Sequence, residues 1–184
     1  MEKLTYDNFE KLKLQRPVKR ISHFALTCKG KKVLDLGSYD ETAVNLKSDT
    51  KYWLFSELEK NAMELIGIDN ALPQETITYK SAKIIKKDVF LIKQEDFKEI
   101  DIISAGEILE HLYSPFEFLS FINKEFKGKE LILSTPNGLN FGNTLMGLIK
   151  REVQHPDHLQ VFSYKTLNTL SVSYTHLRAH ETHH

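Results

Sequence analysis

Cysteine occurs once in this 184-residue chain, at Cys28. An intrachain disulfide is therefore excluded, a reducing compartment is allowed, and the residue itself reads as a half-buried apolar side chain. Net charge is missing as well, because 25 Lys and Arg balance 25 Asp and Glu. Without a global field, nothing draws the chain as a whole toward nucleic acid or an anionic membrane, and small, weakly charged partners fit better. No apolar stretch is long enough to span a bilayer, and Met1-Glu2-Lys3-Leu4 offers no apolar signal core, so a cytoplasmic location is expected. Repeats and low-complexity runs are absent too. Hydrophobic residues at 41% and charged residues at 27% are the balance of one ordinary globular domain, large enough to bury a core.

The C-terminal stretch needs separate treatment. Val172 to Thr182 is similar to the translation of a common sequencing-library adapter, and two further histidines follow. Four of the eight histidines lie in that stretch, so a His-rich metal-binding terminus is set aside in favour of foreign sequence. The expected organisation is one incomplete domain over 1–170 and a non-native tail over 171–184.

What the chain does have is a series of apolar, strand-like runs, each ending in a polar residue. They are Val33-Leu34-Asp35-Leu36-Gly37, Leu65-Ile66-Gly67-Ile68-Asp69, Ile84 to Asp88, and Ile102 to Glu107. Glu130 to Ser134 reads as a fifth strand. Between them lie helical patterns: a lead-in up to about Lys29, a helix from Glu41, another over Thr50 to Asn61, one opened by Ser114-Pro115, and one over Gly142 to Lys150. Pro73 and its neighbours mark a loop. Strands alternating with helices at this spacing predict an α/β doubly wound fold, a mainly parallel sheet with helices on both faces. In such sheets ligands bind outside the carboxyl ends of the strands, so the recurrent polar residues there are placed for function.

The ordered set Val33-Leu34-Asp35-Leu36-Gly37-Ser38-Tyr39-Asp40, Gly67-Ile68-Asp69-Asn70, Lys87-Asp88-Val89, Glu107-Ile108-Leu109-Glu110-His111-Leu112 and Ser134-Thr135-Pro136-Asn137-Gly138 resembles class I S-adenosylmethionine-dependent methyltransferases. The similarity covers about Lys32 to Phe162 and is greatest to enzymes acting on small molecules, including those of quinone and glycan pathways. The resemblance implies a Rossmann-like fold with parallel strand order 3-2-1-4-5, S-adenosylmethionine as cofactor, and transfer of a methyl group to a small-molecule acceptor, with a hydroxyl oxygen favoured. It also implies that the family's last two strands are largely missing, which leaves the fifth strand as an apolar edge open to association.

On that resemblance Asp35 interacts with the methionine end of the cofactor, directly or through water, while Gly37 lets the backbone turn tightly beside it. Ser38 and Tyr39 complete this loop. Tyr39 stands where the family has a second glycine, and a pyrophosphate would need that glycine, so a dinucleotide site is disfavoured. Asp40 serves equally well as a helix N-cap. Asp69 can accept hydrogen bonds from both ribose hydroxyls, with Asn70 beside it, although Asp-Asn is also a turn pair. Asp88 resembles the residue that accepts from the adenine amino group, and Val89 offers packing and backbone contacts.

Glu107 and His111 are four apart, so on a helix they share a face and Glu107 could orient the imidazole as a base. A purely structural His111 is the competing reading. His155-Pro156-Asp157-His158 lies in a loop like those near the acceptor in related enzymes, which nominates His158 as a second catalytic candidate. That tetrapeptide has no distinctive ligand spacing, so no metal is assigned to it. Two rivals stand beside the methyltransferase reading: a dinucleotide-binding oxidoreductase, and a non-catalytic cofactor-binding or interaction module.

Overall fold

The computed structural model describes residues 18–41, 52–97, 99–151 and 155–174. The helix expected from Glu41 lies mostly outside them, although Glu41 itself is helical and Asp40 directly precedes it. The elements are α1 (Arg20–Thr27), β1 (Lys32–Leu36), α2 (Leu54–Asn61), β2 (Glu64–Asp69), β3 (Thr76–Tyr79), β4 (Ala82–Lys86), β5 (Ile102–Gly106), α3 (Pro115–Glu125), β6 (Glu130–Ser134), α4 (Phe141–Leu148) and α5 (Tyr164–Tyr174).

The six strands form one sheet in the order β3-β4-β2-β1-β5-β6. All neighbours are parallel except β3 and β4. Counting the parallel strands alone gives the expected 3-2-1-4-5 order. β6 pairs only with β5 among the described residues, so it is the sheet's edge.

β3 is an addition to the expectation, which placed a loop there. Thr76-Ile77-Thr78-Tyr79 has the β-branched and aromatic character of a strand. It returns antiparallel onto β4 through Lys80-Ser81, where Lys80 takes a left-handed φ of 51°. Two-residue hairpins demand that conformation and usually advertise it with Gly or Asn, which this turn lacks.

The two faces of the sheet have separate cores, and the alternation along each central strand shows why. Val33, Ile102 and Ile132 pack with Phe24 of α1 and Phe55 and Leu58 of α2. Leu34, Leu36, Ile103, Ala105, Leu131 and Leu133 pack with Phe118, Leu119 and Ile122 of α3. A parallel strand buried on both faces needs apolar residues at nearly every position, and these runs supply them. Cys28 is fully buried in the first core and its thiol is pushed up to about 12, mainly by burial, so it packs and does not react.

Ser114 caps α3 as expected, its Oγ accepting from the Glu117 backbone N–H at 3.2 Å, with Pro115 opening the helix. α5 runs through the expected boundary at Leu170. Leu167 and Leu170 lie against the α3-side core, and the Ser171 hydroxyl donates to the Leu167 carbonyl at 2.9 Å.

Candidate functional site

The parallel register brings the carboxyl ends of β2, β1, β5 and β6 to one edge, with Leu36 beside Ile68 and Gly106 beside Ser134. The chain leaves β1 through Gly37, whose φ is +74° and whose N–H donates to the Ile68 carbonyl at 2.9 Å. A side chain there would be strained, which explains the glycine. Ser38 turns inward: its Oγ donates to the Asp35 carbonyl at 2.7 Å, and its own carbonyl accepts from Trp53 Nε1 at 2.9 Å. Its hydroxyl therefore shapes the loop from beneath. Gly67 makes room for it, since a Cβ at that position would lie 2.6 Å from Ser38 Oγ and 2.7 Å from Phe55 Cε2.

The Tyr39 N–H reaches across to Asp69 Oδ2 at 3.0 Å, and Asp69 Oδ1 accepts from the Ala71 N–H at 2.8 Å. The same carboxylate thus ties the β1 loop to the β2 turn. Asn70 is exposed beside it. Asp88 follows β4, is exposed, and accepts from the Phe90 N–H at 2.8 Å at the start of a short 3₁₀ turn that buries Val89. Phe90 extends from this turn to meet Phe118 edge to face and Phe121 at a tilt.

Asp35 is 2% exposed, and its Oδ1 has no hydrogen-bond partner. Burial pushes its carboxyl up from 3.8 to about 7, the hydroxyls of Ser104 and Ser38 offsetting part of the cost. Asp69 adds to the rise and Arg20 opposes it. The folded state holds this proton more tightly than the unfolded chain, so the group's contribution to stability is full below about pH 4 and is lost as pH rises through about 7. Asp35→Asn should therefore stabilise the chain at about pH 8, by at most about 4 kcal/mol at 1.36 kcal/mol per pKa unit, and flatten its decline between about pH 4 and 7. Urea denaturation across that range checks it; an Asn variant weaker than the parent at about pH 8 would refute the burial argument.

Beyond β5 the expected helical pairing of Glu107 with His111 is not formed. Glu107 has a left-handed φ of 59°, and only Leu109–His111 make a 3₁₀ turn, so no helix carries both residues on one face. Glu107 instead pairs with Arg20 of α1 at 3.0 Å. His111 Nδ1 lies 3.2 Å from the Asp157 carbonyl. A carbonyl only accepts, so that contact is a hydrogen bond in the tautomer with Nδ1 protonated, which leaves Nε2 as a free lone pair.

Two residues that the sequence reading did not assign complete the edge. Arg20 is one, reached through α1. Glu110 is the other: 1% exposed, its carboxyl pushed up to about 7 mainly by burial, with its own backbone N–H and the Thr135 hydroxyl offsetting part of the cost. Its backbone carbonyl accepts from Leu159 N at 2.7 Å and Gln160 N at 3.1 Å, which holds the 155–160 loop against it. His158 thereby reaches His111, with ring centroids 4.8 Å apart and nearly perpendicular, and His155 stands 5.5 Å from His158. Burial, then His111 and His155, push the His158 imidazole down toward its neutral form. Glu110, His111 and His158 each offer one ligand atom, all within 4.8 Å of one another. A buried carboxylate beside two imidazoles fits a divalent cation. Reading 155–158 alone missed this, because the set combines a turn after β5 with a loop before α5.

The chain matches no family model and no curated protein sequence. Solved structures do resemble it. The small RNA methyltransferase HEN1 aligns over 92% of this chain and 23% of its own, with 16% identity and a TM-score of 0.59. The plantazolicin methyltransferase BpumL in complex with S-adenosylhomocysteine aligns over 85% of this chain and 61% of its own, at 16% identity and TM-score 0.51. The cyclase SpnF aligns over 84% and 54%, at 14% identity and TM-score 0.52. The chain thus spans less than two thirds of the length of each. It has the Rossmann-like fold of class I S-adenosylmethionine-dependent methyltransferases. The cyclase among its likenesses is a reminder that this fold alone does not fix the reaction.

Proposed function

We propose that this chain transfers a methyl group from S-adenosylmethionine to a hydroxyl oxygen of a small-molecule acceptor. The observation that carries the reading is the meeting, at one sheet edge, of the Gly37 turn and Asp69 with the cluster of Glu110, His111 and His158. The first pair suits the cofactor: Gly37 allows close backbone approach, Asp69 the ribose, and Asp88 and Val89 the adenine end, with Asp35, Ser38, Tyr39, Asn70 and Glu107 around them. The cluster suits the acceptor. In methyl transfer the hydroxyl oxygen attacks the sulfonium methyl in line, the carbon–sulfur bond breaks to leave S-adenosylhomocysteine, and the hydroxyl proton passes to a base. With no cation bound, His158, shifted toward its neutral form, or Nε2 of His111 can take that proton; a lone pair that ligates a cation cannot, and the proton then passes to solvent. Glu110, His111 and His158 would hold a divalent cation, which when bound lowers the pKa of a coordinated hydroxyl.

A second reading places the acceptor hydroxyl on RNA, favoured by the likeness to a small RNA methyltransferase. Incubation with methyl-labelled S-adenosylmethionine and divalent cation, against a panel of small hydroxyl compounds and a short RNA, separates the two. Label on a small compound supports the first reading and label on RNA the second. Binding of S-adenosylhomocysteine without turnover on either would favour a cofactor-binding module, and binding of a nicotinamide dinucleotide instead would favour the oxidoreductase.

A further inference from the structure

Helix α4 is inverted with respect to the protein it belongs to. Its apolar residues Phe141, Leu145, Leu148 and Ile149 fall at i, i+4, i+7 and i+8, a stripe about 100° wide that in a packed domain faces the core. Here the stripe faces solvent: Phe141 is 81% exposed, Leu145 47%, Leu148 77% and Ile149 60%, and no residue of α4 is buried. The opposite side, with Asn143 and Met146 partly buried, is the one turned to the protein. Asn143 Nδ2 contacts the Gly138 carbonyl at 3.4 Å, and its N–H donates to the capping Asn140 Oδ1 at 2.8 Å. The exposed surface continues onto Leu139 and, across the pairing of Asn137 with Phe162, onto Leu159 and Val161. It therefore borders the loop that carries His158.

We infer that this face docks on an anionic lipid surface, with the α4 stripe entering the headgroup boundary. Charge selects that occupant. From Gly138 to Arg151 the sequence has no acidic residue, and after Ile149, which caps α4, comes the exposed pair Lys150 and Arg151, with a single acid, Glu152, next in sequence. An apolar stripe with cations at its margin is the pattern of helices that lie in a membrane interface. A second copy of the chain fits less well. In an antiparallel pair of α4 helices the cations of each would meet the positively polarised N-terminus of the other, and in a parallel pair they would meet each other. The attraction is local: Lys150 and Arg151 lie within a Debye length of any surface α4 touches, so the zero net charge of the whole chain does not cancel it.

The test is vesicle flotation of the full chain, which needs no turnover and so is independent of the proposed activity. Binding is expected to vesicles of phosphatidylcholine with phosphatidylserine, weaker to phosphatidylcholine alone, and reduced by salt. The double substitution Phe141→Ser with Leu148→Ser should lower partitioning by roughly tenfold or more, and Lys150→Glu with Arg151→Glu should erase the preference for anionic vesicles. These side chains are exposed, and circular dichroism verifies the fold of each variant. A Leu148→Trp variant, whose emission should shift to the blue on vesicle addition, locates the contact on α4. No flotation, or flotation undiminished by the double serine variant, would overturn the inference. A concentration-dependent dimer that the same serine substitutions disperse would assign the face to a second copy instead.

Discussion

Asp69→Ala is expected to weaken binding of S-adenosylhomocysteine by about a hundredfold in a variant that remains folded. A carboxylate has roughly four lone-pair sites, of which the Tyr39 and Ala71 N–H groups use one on each oxygen. Two remain for a ribose diol. Hydrogen bonds to a charged group are worth about 1.5–3 kcal/mol each, and every 1.4 kcal/mol is a factor of ten in affinity, so loss of two gives the stated effect. The same substitution also orphans two backbone donors at the loop, at a cost of about 1–3 kcal/mol in stability for each that stays unsatisfied. The competing reading of Asp69 as a turn residue forecasts only that stability loss. Calorimetric titration, on parent and variant shown to be folded by circular dichroism, decides between them: an unchanged Kd in the folded variant would leave Asp69 a turn residue.

The structure shows Asp69 in its turn role, accepting from the Tyr39 and Ala71 N–H groups, while its ribose contact stands as a proposal. The buried parallel strands were legible because aliphatic runs of four to six residues, closed by a polar residue, have few other uses in a domain this size. β6 was read with its bounds as Glu130–Ser134. β3 was not, because Lys80 enters a left-handed conformation without glycine or asparagine to announce it. Glu107 and His111 show the opposite error. Spacing of four implied a shared helical face, yet the chain leaves β5 through a left-handed Glu107 and never forms that helix. Arg20 and Glu110 were illegible for a third reason: each owes its place to contacts between segments distant in sequence. α1 sets Arg20 beside Glu107, and the Leu159 and Gln160 N–H groups clamp the histidine loop onto Glu110.

Glu110→Gln gives the other large expected effect, and its sign on stability opposes its sign on function. Glutamine preserves the shape of the side chain while removing a buried carboxyl whose ionised form burial disfavours. If Glu110 were only structural, the loss of its carboxylate would be neutral or mildly stabilising and methyl transfer would continue. If it holds a divalent cation with His111 and His158, the variant should lose metal affinity by about ten- to a hundredfold, and transfer to a weakly acidic hydroxyl by about a hundredfold or more. Two imidazoles with one carboxylate suit Zn²⁺ or Mn²⁺ better than Mg²⁺, which prefers an all-oxygen octahedron. Thermal denaturation reads the binding directly, since a cation at a hundred times its Kd stabilises the folded state by about 2.7 kcal/mol. The parent chain should show that rise with Mn²⁺ or Zn²⁺, and Glu110→Gln and His158→Ala should not. The same cation-induced rise in all three proteins would place the ion elsewhere, and turnover unaffected by prior chelation would leave His111 and His158 to act as bases without a metal.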